Sequence, residues 1–283
     1  MLGRLEKPPE KQDGSVCIID ETGAIQNSVN IWMPTGILLT ERHILITGSF
    51  SIHRMKRDLS TIEQDVYSMP WFNSLHSIAR TQSGFLVTST GLDMVLEFDL
   101  AGKFLWSWWA GDHGLDITPL GRQRYIERSA DHRGLFYGTA RQTTHINSAI
   151  ELPNGDILAT LFHQGMVIYI HRKSGEWTPL LEHLDHPHAL RLQGQDTFTV
   201  ADTGHGRALL VKMSSDKSAS IEKEVTLDTT WLQDCFYDKA QGLWILVDAD
   251  HSHVVMFHET SRKYTRLVFD PELRLYGIEP LWK

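Results

Sequence analysis

The stretch "LHSIARTQSGFLVTSTGLDMVLEFDLAGKFLW", residues 75–106, decides the fold class. It contains a short apolar strand, a turn with glycine, a second strand, a polar loop and a third strand. The same order returns over residues 144–177, 186–213 and 231–264, and in a weaker copy over residues 33–58. Because no segment sustains the apolar spacing of a long helix, the sequence predicts an all-β protein built from repeats.

The spacing of these repeats is typical of propeller blades. When the repeats are aligned by their strands, one position recurs at steps of about 41 to 46 residues, apart from a single longer step. It is occupied by Thr35, His76, His145, His188 and Asp234. A unit of this length accommodates the four antiparallel strands of a blade. The sequence therefore predicts a β-propeller.

The chain ends bear on the number of blades. "VCIIDETGAI", residues 16–25, is similar to the third strand and following turn of a blade, and "LYGIEPLW", residues 275–282, is similar to a first strand. Joining the two ends in one sheet would close the ring and remove its exposed edges. We therefore predict six blades, the sixth a composite of both termini, with five full blades as the alternative. They would form a single domain over residues 1–283, with a lid-like insertion at residues 107–143.

Composition limits the partners and the compartment. The formal charge of −8 and the lack of a Lys/Arg block disfavour nucleic acid as a partner. No apolar run approaches the roughly 20 residues that span a bilayer, and residues 1–15 lack the apolar stretch of a signal peptide. The two cysteines, Cys17 and Cys235, are not a disulfide framework. We expect a cytoplasmic protein with a small-molecule substrate and with neither nucleic acid nor membrane as a partner.

The repeat pattern places several polar side chains on one face of the predicted disc. His76, His145 and His188 would lie at the top of innermost strands, and His163 and His205 in loops of the same face. The insertion is a connection between blades and would cover that face, since long loops in compact domains usually carry function. The insertion residues that we predict to bind substrate are Trp109, Arg122, Arg124 and Arg141, together with His205.

Three converging imidazoles would suit a divalent metal, Zn or Fe, with positions left open for water or substrate. We predict His76, His145 and His188 as metal ligands, with Asp234, His163 or His205 as a fourth ligand or a supporting group. The insertion arginines would clamp an anionic substrate group, and Trp109 would line an aromatic pocket. A structural explanation competes with each assignment: axial histidines can hydrogen-bond channel water, and loop arginines can pair with neighbouring carboxylates.

The string "VADTGHGRALLV", residues 200–211, resembles the signature of NHL-repeat propellers. The resemblance implies that Asp202, Thr203, Gly204 and Arg207 stabilise a tight loop between strands. Propellers of this kind include metal-dependent lyases with histidine ligands near the axis, so the resemblance favours the metal hypothesis by analogy.

A second string, "HINSAIELPNGDILATLFHQGMVIYIHRKSGEW", residues 145–177, resembles the repeat of arylsulfotransferase-like propellers. In that family axial histidines and an asparagine grip the sulfate. The resemblance implies sulfate-contacting roles for His145 and Asn147, while the carrier histidine has no identifiable counterpart here.

Three functions remain open from the sequence. The leading hypothesis is a metal-dependent lyase, cyclase or hydrolase whose catalytic residues include His145, Asn147, His163 and Asp234. The first alternative is metal-free histidine catalysis, acid–base or nucleophilic, including sulfuryl transfer. The second alternative is a non-catalytic binding propeller in a larger assembly.

Overall fold

Alternating β-branched and aliphatic residues with glycine turns make this chain a series of antiparallel hairpins. The computed structural model describes residues 13–282, so most of the segment on which the signal-peptide expectation rests lies outside the described residues. The described chain begins with a two-stranded sheet of β1 (Asp13–Ile19) and β2 (Ile25–Trp32). No helix within residues 13–282 is long and apolar enough to cross a bilayer.

Five four-stranded sheets follow, each with its strands paired in chain order. The first two are β3 (Ile37–Leu39), β4 (His43–Thr47), β5 (Ile52–Lys56) and β6 (Ile62–Tyr67), then β7 (Leu75–Arg80), β8 (Gly84–Ser89), β9 (Met94–Asp99) and β10 (Phe104–Trp109). The third is β11 (Ile146–Glu151), β12 (Ile157–Leu161), β13 (Met166–Ile170) and β14 (Trp177–Leu181). The last two are β15 (His188–Leu192), β16 (Thr197–Asp202), β17 (Arg207–Met213) and β18 (Ala219–Thr226), then β19 (Leu232–Asp238), β20 (Leu243–Asp248), β21 (His253–His258) and β22 (Lys263–Val268).

The prediction of six blades with a composite terminal blade is wrong, because the structure has five four-stranded sheets. β1 pairs with β2, and these strands bury Val16 and Ile31 in a cluster with Ile44 and Ile46 of β4. Residues 275–282 form no strand. Their backbone is held by side chains instead, since the Ile278 N–H donates to Asp234 at 2.9 Å.

The chain divides into two compact units. The first comprises the described residues up to Ile19 and Ile25–Ala149, and the second comprises Asp20–Ala24 and the described residues from Ile150 onward. In the first unit, aromatic and aliphatic side chains of β7, β8 and β9 form a core that also takes in Phe72. In the second unit, Trp244 packs in a core with side chains of β16, β17, β19 and β21.

The insertion predicted at residues 107–143 begins later than the sequence suggests, because β10 extends to Trp109. After β10 the chain forms short 3-10 helices at Ala110–His113 and Thr139–Arg141, with irregular structure between them. Within the first unit this insertion lies against the segment that precedes β7: the His132 N–H donates to the Pro70 carbonyl at 2.8 Å. We call residues 110–143 the strap, since hydrogen bonds fasten it to the sheet β7–β10.

Candidate functional site

His76 is held in one tautomer by the strand that carries it. It is the second residue of β7, at a bulge in the pairing with β8, and bulges commonly re-aim side chains. Its Nδ1–H donates to the Ser74 carbonyl at 2.9 Å, so the lone pair of the neutral ring is on Nε2. Burial lowers the pKa of His76 to about 4, although the hydrogen bond to Ser74 opposes this change. The ring is therefore neutral at physiological pH.

His145 is fixed at both its backbone and its ring. It immediately precedes β11, has a positive φ of 50°, and is 8% exposed. Its Nδ1–H donates to Oε1 of Gln142. The orientation of that amide is set by its nitrogen, which donates to the Tyr137 carbonyl at 2.7 Å. His145 therefore carries a proton on Nδ1, as His76 does, and Nε2 is the atom that can gain or lose one.

The two imidazoles lie together in the first unit. Their ring centroids are 5.1 Å apart and the planes meet edge to face at 78°. Each Nδ1–H is engaged by a carbonyl oxygen, which leaves Nε2 as the basic atom of each ring. The same arrangement orients the imidazole of a catalytic triad or of a metal site, where a partner on one nitrogen fixes the role of the other.

A buried carboxylate organises the chain around His145. Asp93 is 2% exposed and follows the 3-10 turn Thr90–Leu92 with a φ of 51°. It accepts backbone N–H groups from Thr143 at 2.8 Å, Thr144 at 2.9 Å and His145 at 2.9 Å. Because three consecutive amides converge on one carboxylate, the end of the strap cannot shift without breaking this cluster.

Arg124 of the strap completes this cluster. Its guanidinium forms an ion pair with Asp93, donates to the Gly91 carbonyl at 2.5 Å, and lies over the Tyr137 ring at 5.1 Å. Its side chain is only 9% exposed, opposite a carboxylate that is 3% exposed. The sequence missed Asp93 and Gln142, because a lone Asp in a turn and a Gln three residues before a His carry no distinctive pattern.

The other predicted substrate-binding residues of the first unit lie on different parts of β10 and the strap. Trp109 ends β10, is 9% exposed, and lies beneath Arg128 of the strap at 4.8 Å. Arg122 is exposed on a turn of the strap, and Arg141 is partly buried at the end of the last 3-10 helix. Only Arg124 of the three predicted arginines has its contacts described above, so the clamp on an anionic group stays a prediction.

In the second unit His188 repeats the arrangement of His76. It begins β15 at a bulge, is 5% exposed, and its Nδ1–H lies 2.8 Å from the His186 carbonyl and 2.8 Å from the Thr203 hydroxyl. Its ring meets Phe162 edge to face at 5.6 Å. His163 is partly buried next to Phe162, with ring centroids 5.2 Å apart.

Two predicted site residues of the second unit take part in ion pairs. Asp234 binds the guanidinium of Arg191, which also donates to Glu279 at 3.1 Å. His205 is exposed and its Nδ1 lies 2.9 Å from Asp202. Asp202 also accepts the Arg207 Nε–H at 2.9 Å, so this carboxylate braces the loop between β16 and β17.

The strand register departs from the sequence alignment at His145. Ser74, His145 and His186 have positive φ and stand just before the first strands of the second, third and fourth four-stranded sheets, as Met33 does before β3. His76 and His188 each lie two positions after such a residue, and the corresponding residue of the third sheet is Asn147, not His145. Asn147 lies in β11 and is 3% exposed, and its carbonyl accepts the Thr88 hydroxyl at 3.3 Å.

The metal prediction gains no support from the geometry. Within residues 13–282, no group of three or more His, Cys, Asp or Glu side chains is placed to hold a metal ion. His76 and His145 supply two imidazoles, whereas the zinc sites of proteins use three or four protein ligands. Zn or Fe binding stays a prediction, which elemental analysis can test.

The fold is shared with several solved structures. Virginiamycin B lyase from Staphylococcus aureus matches with a TM-score of 0.54 and 11% identity, over 94% of this chain and 77% of that one. A protein of unknown function from Bacteroides caccae matches with 0.64 and 13%, over 93% of each chain. A chain of a nidogen/laminin complex matches with 0.60 and 13%, over 93% of this chain and 92% of that one.

These likenesses confirm the β-propeller fold that the sequence resemblance predicts. The chain is an all-β β-propeller with five four-stranded blades. No protein-family model matches the sequence, and no curated protein matches it significantly. At 11–13% identity, likeness to a lyase and to a chain of a protein complex shows the fold alone.

Proposed function

We propose that this propeller is an enzyme that uses His76 and His145 for metal-free acid–base catalysis on a small molecule. The observation that carries the proposal is the pair itself: two imidazoles whose ring centroids lie 5.1 Å apart, each with Nδ1–H held by a carbonyl oxygen. One ring can accept a proton on Nε2 while the other returns one, which is what general acid–base catalysis requires.

The proposed reaction class is elimination. Nε2 of His76 takes a proton from a carbon beside an electron-withdrawing group, and the C–H electron pair becomes a new C=C bond. The bond to the leaving oxygen or nitrogen breaks and takes its electron pair with it. His145, protonated on Nε2, gives its proton to that atom. The fold shared with virginiamycin B lyase is consistent with this class.

The two histidines differ in role because their surroundings differ. His76, with a pKa of about 4, stays neutral at physiological pH and so acts as the base. His145 is anchored through its backbone amide to Asp93 and through its ring to Gln142. Gln142 accepts the Nδ1–H in both charge states of the ring, so His145 keeps its orientation while Nε2 gains or loses a proton.

The test is a turnover screen with tag-free protein by mass spectrometry. The panel comprises lactones, cyclic depsipeptides including quinupristin, and aromatic and anionic β-substituted carbonyl compounds. We expect turnover of at least one compound in the presence of a chelator, with loss in His76→Asn and His145→Asn and retention in His258→Asn, since His258 is exposed at the end of β21. Elimination opens a ring without a change of mass, whereas hydrolysis adds one water.

Three outcomes contradict the proposal: no turnover across the panel, turnover that survives both histidine substitutions, or turnover that requires an added metal ion. Elemental analysis accompanies the screen. Near-stoichiometric Zn or Fe that is lost in the histidine variants would favour the metal-dependent alternative instead.

A further inference from the structure

A recess lies in the second unit, between the sheets β15–β18 and β19–β22. It is a half-open cleft of about 400 Å³, within the size range of small-molecule sites. One wall comes from the turn between β15 and β16, with Gln193 and Thr197, and the other from the turn between β19 and β20, with Lys239 and Gln241. We call it the polar cleft. None of the residues assigned above to the histidine pair lines it.

The wall of the polar cleft holds a preorganised group of three polar side chains. The Lys223 ammonium donates to the Tyr237 hydroxyl at 2.7 Å and to Glu259 at 2.5 Å, and the Tyr237 hydroxyl donates to Glu259 at 3.1 Å. The Trp244 indole N–H donates to the other carboxylate oxygen of Glu259 at 3.1 Å. Because each member is fixed by the others, the group pays little ordering entropy when a ligand binds.

Both charged members of the group stay ionised around neutral pH. The hydrogen bond to Glu259 raises the pKa of Lys223. Burial opposes ionisation of Glu259, but the hydrogen bonds from Lys223 and Trp244 hold its pKa below the ordinary value. Burial also raises the pKa of the Tyr237 phenol, which therefore keeps its proton for Glu259.

The lining selects a neutral, hydroxyl-rich ligand. Two lysines, Lys223 and Lys239, are matched by two glutamates, Glu222 and Glu259, so the formal charges of the lining cancel. Most other lining residues offer amides or hydroxyls, and few apolar side chains are present. A hydroxyl group both donates and accepts, so one ligand hydroxyl can receive from an ammonium while it donates to a carboxylate. An anion would meet the glutamates, and an apolar compound would displace water from these polar groups without offering a hydrogen bond in return.

We propose that the polar cleft binds a neutral saccharide of one or two rings. Lys223 and Glu259 would together bind neighbouring ring hydroxyls, and Gln241 at the rim would bind an outer hydroxyl. This site is separate from the histidine pair, so binding there does not depend on the proposed elimination.

The test is saturation-transfer difference NMR followed by titration calorimetry. The probes are glucose, galactose, mannose, N-acetylglucosamine, maltose and lactose, with glycine and inorganic phosphate as zwitterionic and anionic comparisons. We expect saturation of at least one sugar and of neither comparison compound. Glu259→Gln should weaken the binding of that sugar about tenfold or more, because hydrogen bonds to charged groups are stronger than those between neutral groups.

Gln241→Ala guards against a folding artefact, since Gln241 is exposed on a turn, and it should weaken binding by a smaller factor. Glu272→Gln is the matched control, because Glu272 is exposed and lies outside the lining. Absence of signal for every sugar overturns the proposal. So does binding of phosphate or glycine alone, and so does sugar binding that survives both Glu259→Gln and Gln241→Ala.

Discussion

Arg191→Met is expected to destabilise the protein strongly. Asp234 belongs to a buried group of charges, and Arg191 is the only cation that the described contacts place in that group. Arg191 is 16% exposed at its side chain and Asp234 is 6% exposed. The guanidinium donates to both carboxylate oxygens of Asp234, to the Ile278 carbonyl at 2.9 Å and to Glu279 at 3.1 Å. Burial opposes its charge, yet attraction to Asp234 and Glu279 raises the pKa of Arg191 well above the ordinary value.

The magnitude follows from the charge left behind. Breaking a buried ion pair by removing one partner costs roughly 3–5 kcal/mol, because the other charge stays desolvated. Asp234 keeps two backbone donors, Cys235 at 2.7 Å and Ile278 at 2.9 Å. We therefore expect a loss near the lower end, about 3 kcal/mol. The double variant Arg191→Met, Asp234→Leu should recover part of it, since Asp234 is then no longer a buried charge and only Glu279 has lost its contact with Arg191.

The assay is unfolding in urea, monitored by tryptophan fluorescence. The free energies of unfolding are compared with one common slope against urea concentration. Arg266→Met is the matched control, because Arg266 is exposed on β22 and a surface charge contributes little. The reasoning is refuted if Arg191→Met costs less than about 1 kcal/mol, or if the double variant is no more stable than the single one. The same unfolding assay also applies to the predicted catalytic role of Asp234. That role requires Asp234→Asn to lose activity while its free energy of unfolding stays unchanged.

Three further outcomes are expected. The pKa of His76 is about 4 in the folded protein and 6.5 ordinarily, so the unfolded chain is protonated first as the pH falls, and up to ~3 kcal/mol of stability is lost between pH 6.5 and pH 4. Urea titrations at several pH values should show this loss in the wild type and not in His76→Asn, and identical pH profiles of the two proteins would contradict it. Gln142→Leu should lower kcat about tenfold or more with little change in KM, whereas Gln142→Glu, which keeps an acceptor for the Nδ1–H of His145 but loses the donor to the Tyr137 carbonyl, should lower kcat less; equal losses in both would exclude the orienting role. Asp93→Asn should cost about 3–5 kcal/mol in thermal or urea unfolding by stranding Arg124, and a change within 1 kcal/mol would show that the pair is dispensable.

The repeat architecture was predictable because local signals agree along the chain. Each blade contains apolar strands separated by turns, and the four-residue loops between second and third strands recur with similar register, as in Ser89 opposite Met94 and Asp202 opposite Arg207. The chain ends were predicted wrongly because an apolar segment does not by itself determine which strand it pairs with. Residues 275–282 contain Pro280 and, instead of completing a blade, place the Ile278 backbone between Arg191 and Asp234.

The candidate site was predictable in its residue type and not in its register. His76, His145 and His188 were aligned as equivalents, yet His145 occupies the position of Ser74 and His186, where φ is 50°, 48° and 56° respectively. A positive φ in residues other than glycine is uncommon and cannot be read from the residue type. The alignment by sequence therefore places His145 two residues away from its position in the strand register. The slip has a chemical consequence. Had His145 occupied the position of Asn147, within β11, its ring would have a bonding partner set by that strand. At the turn before the strand, His145 instead donates its ring Nδ1–H to Gln142 and its backbone N–H to Asp93. The bond to Gln142 fixes the proton on Nδ1 of a ring that lies beside His76.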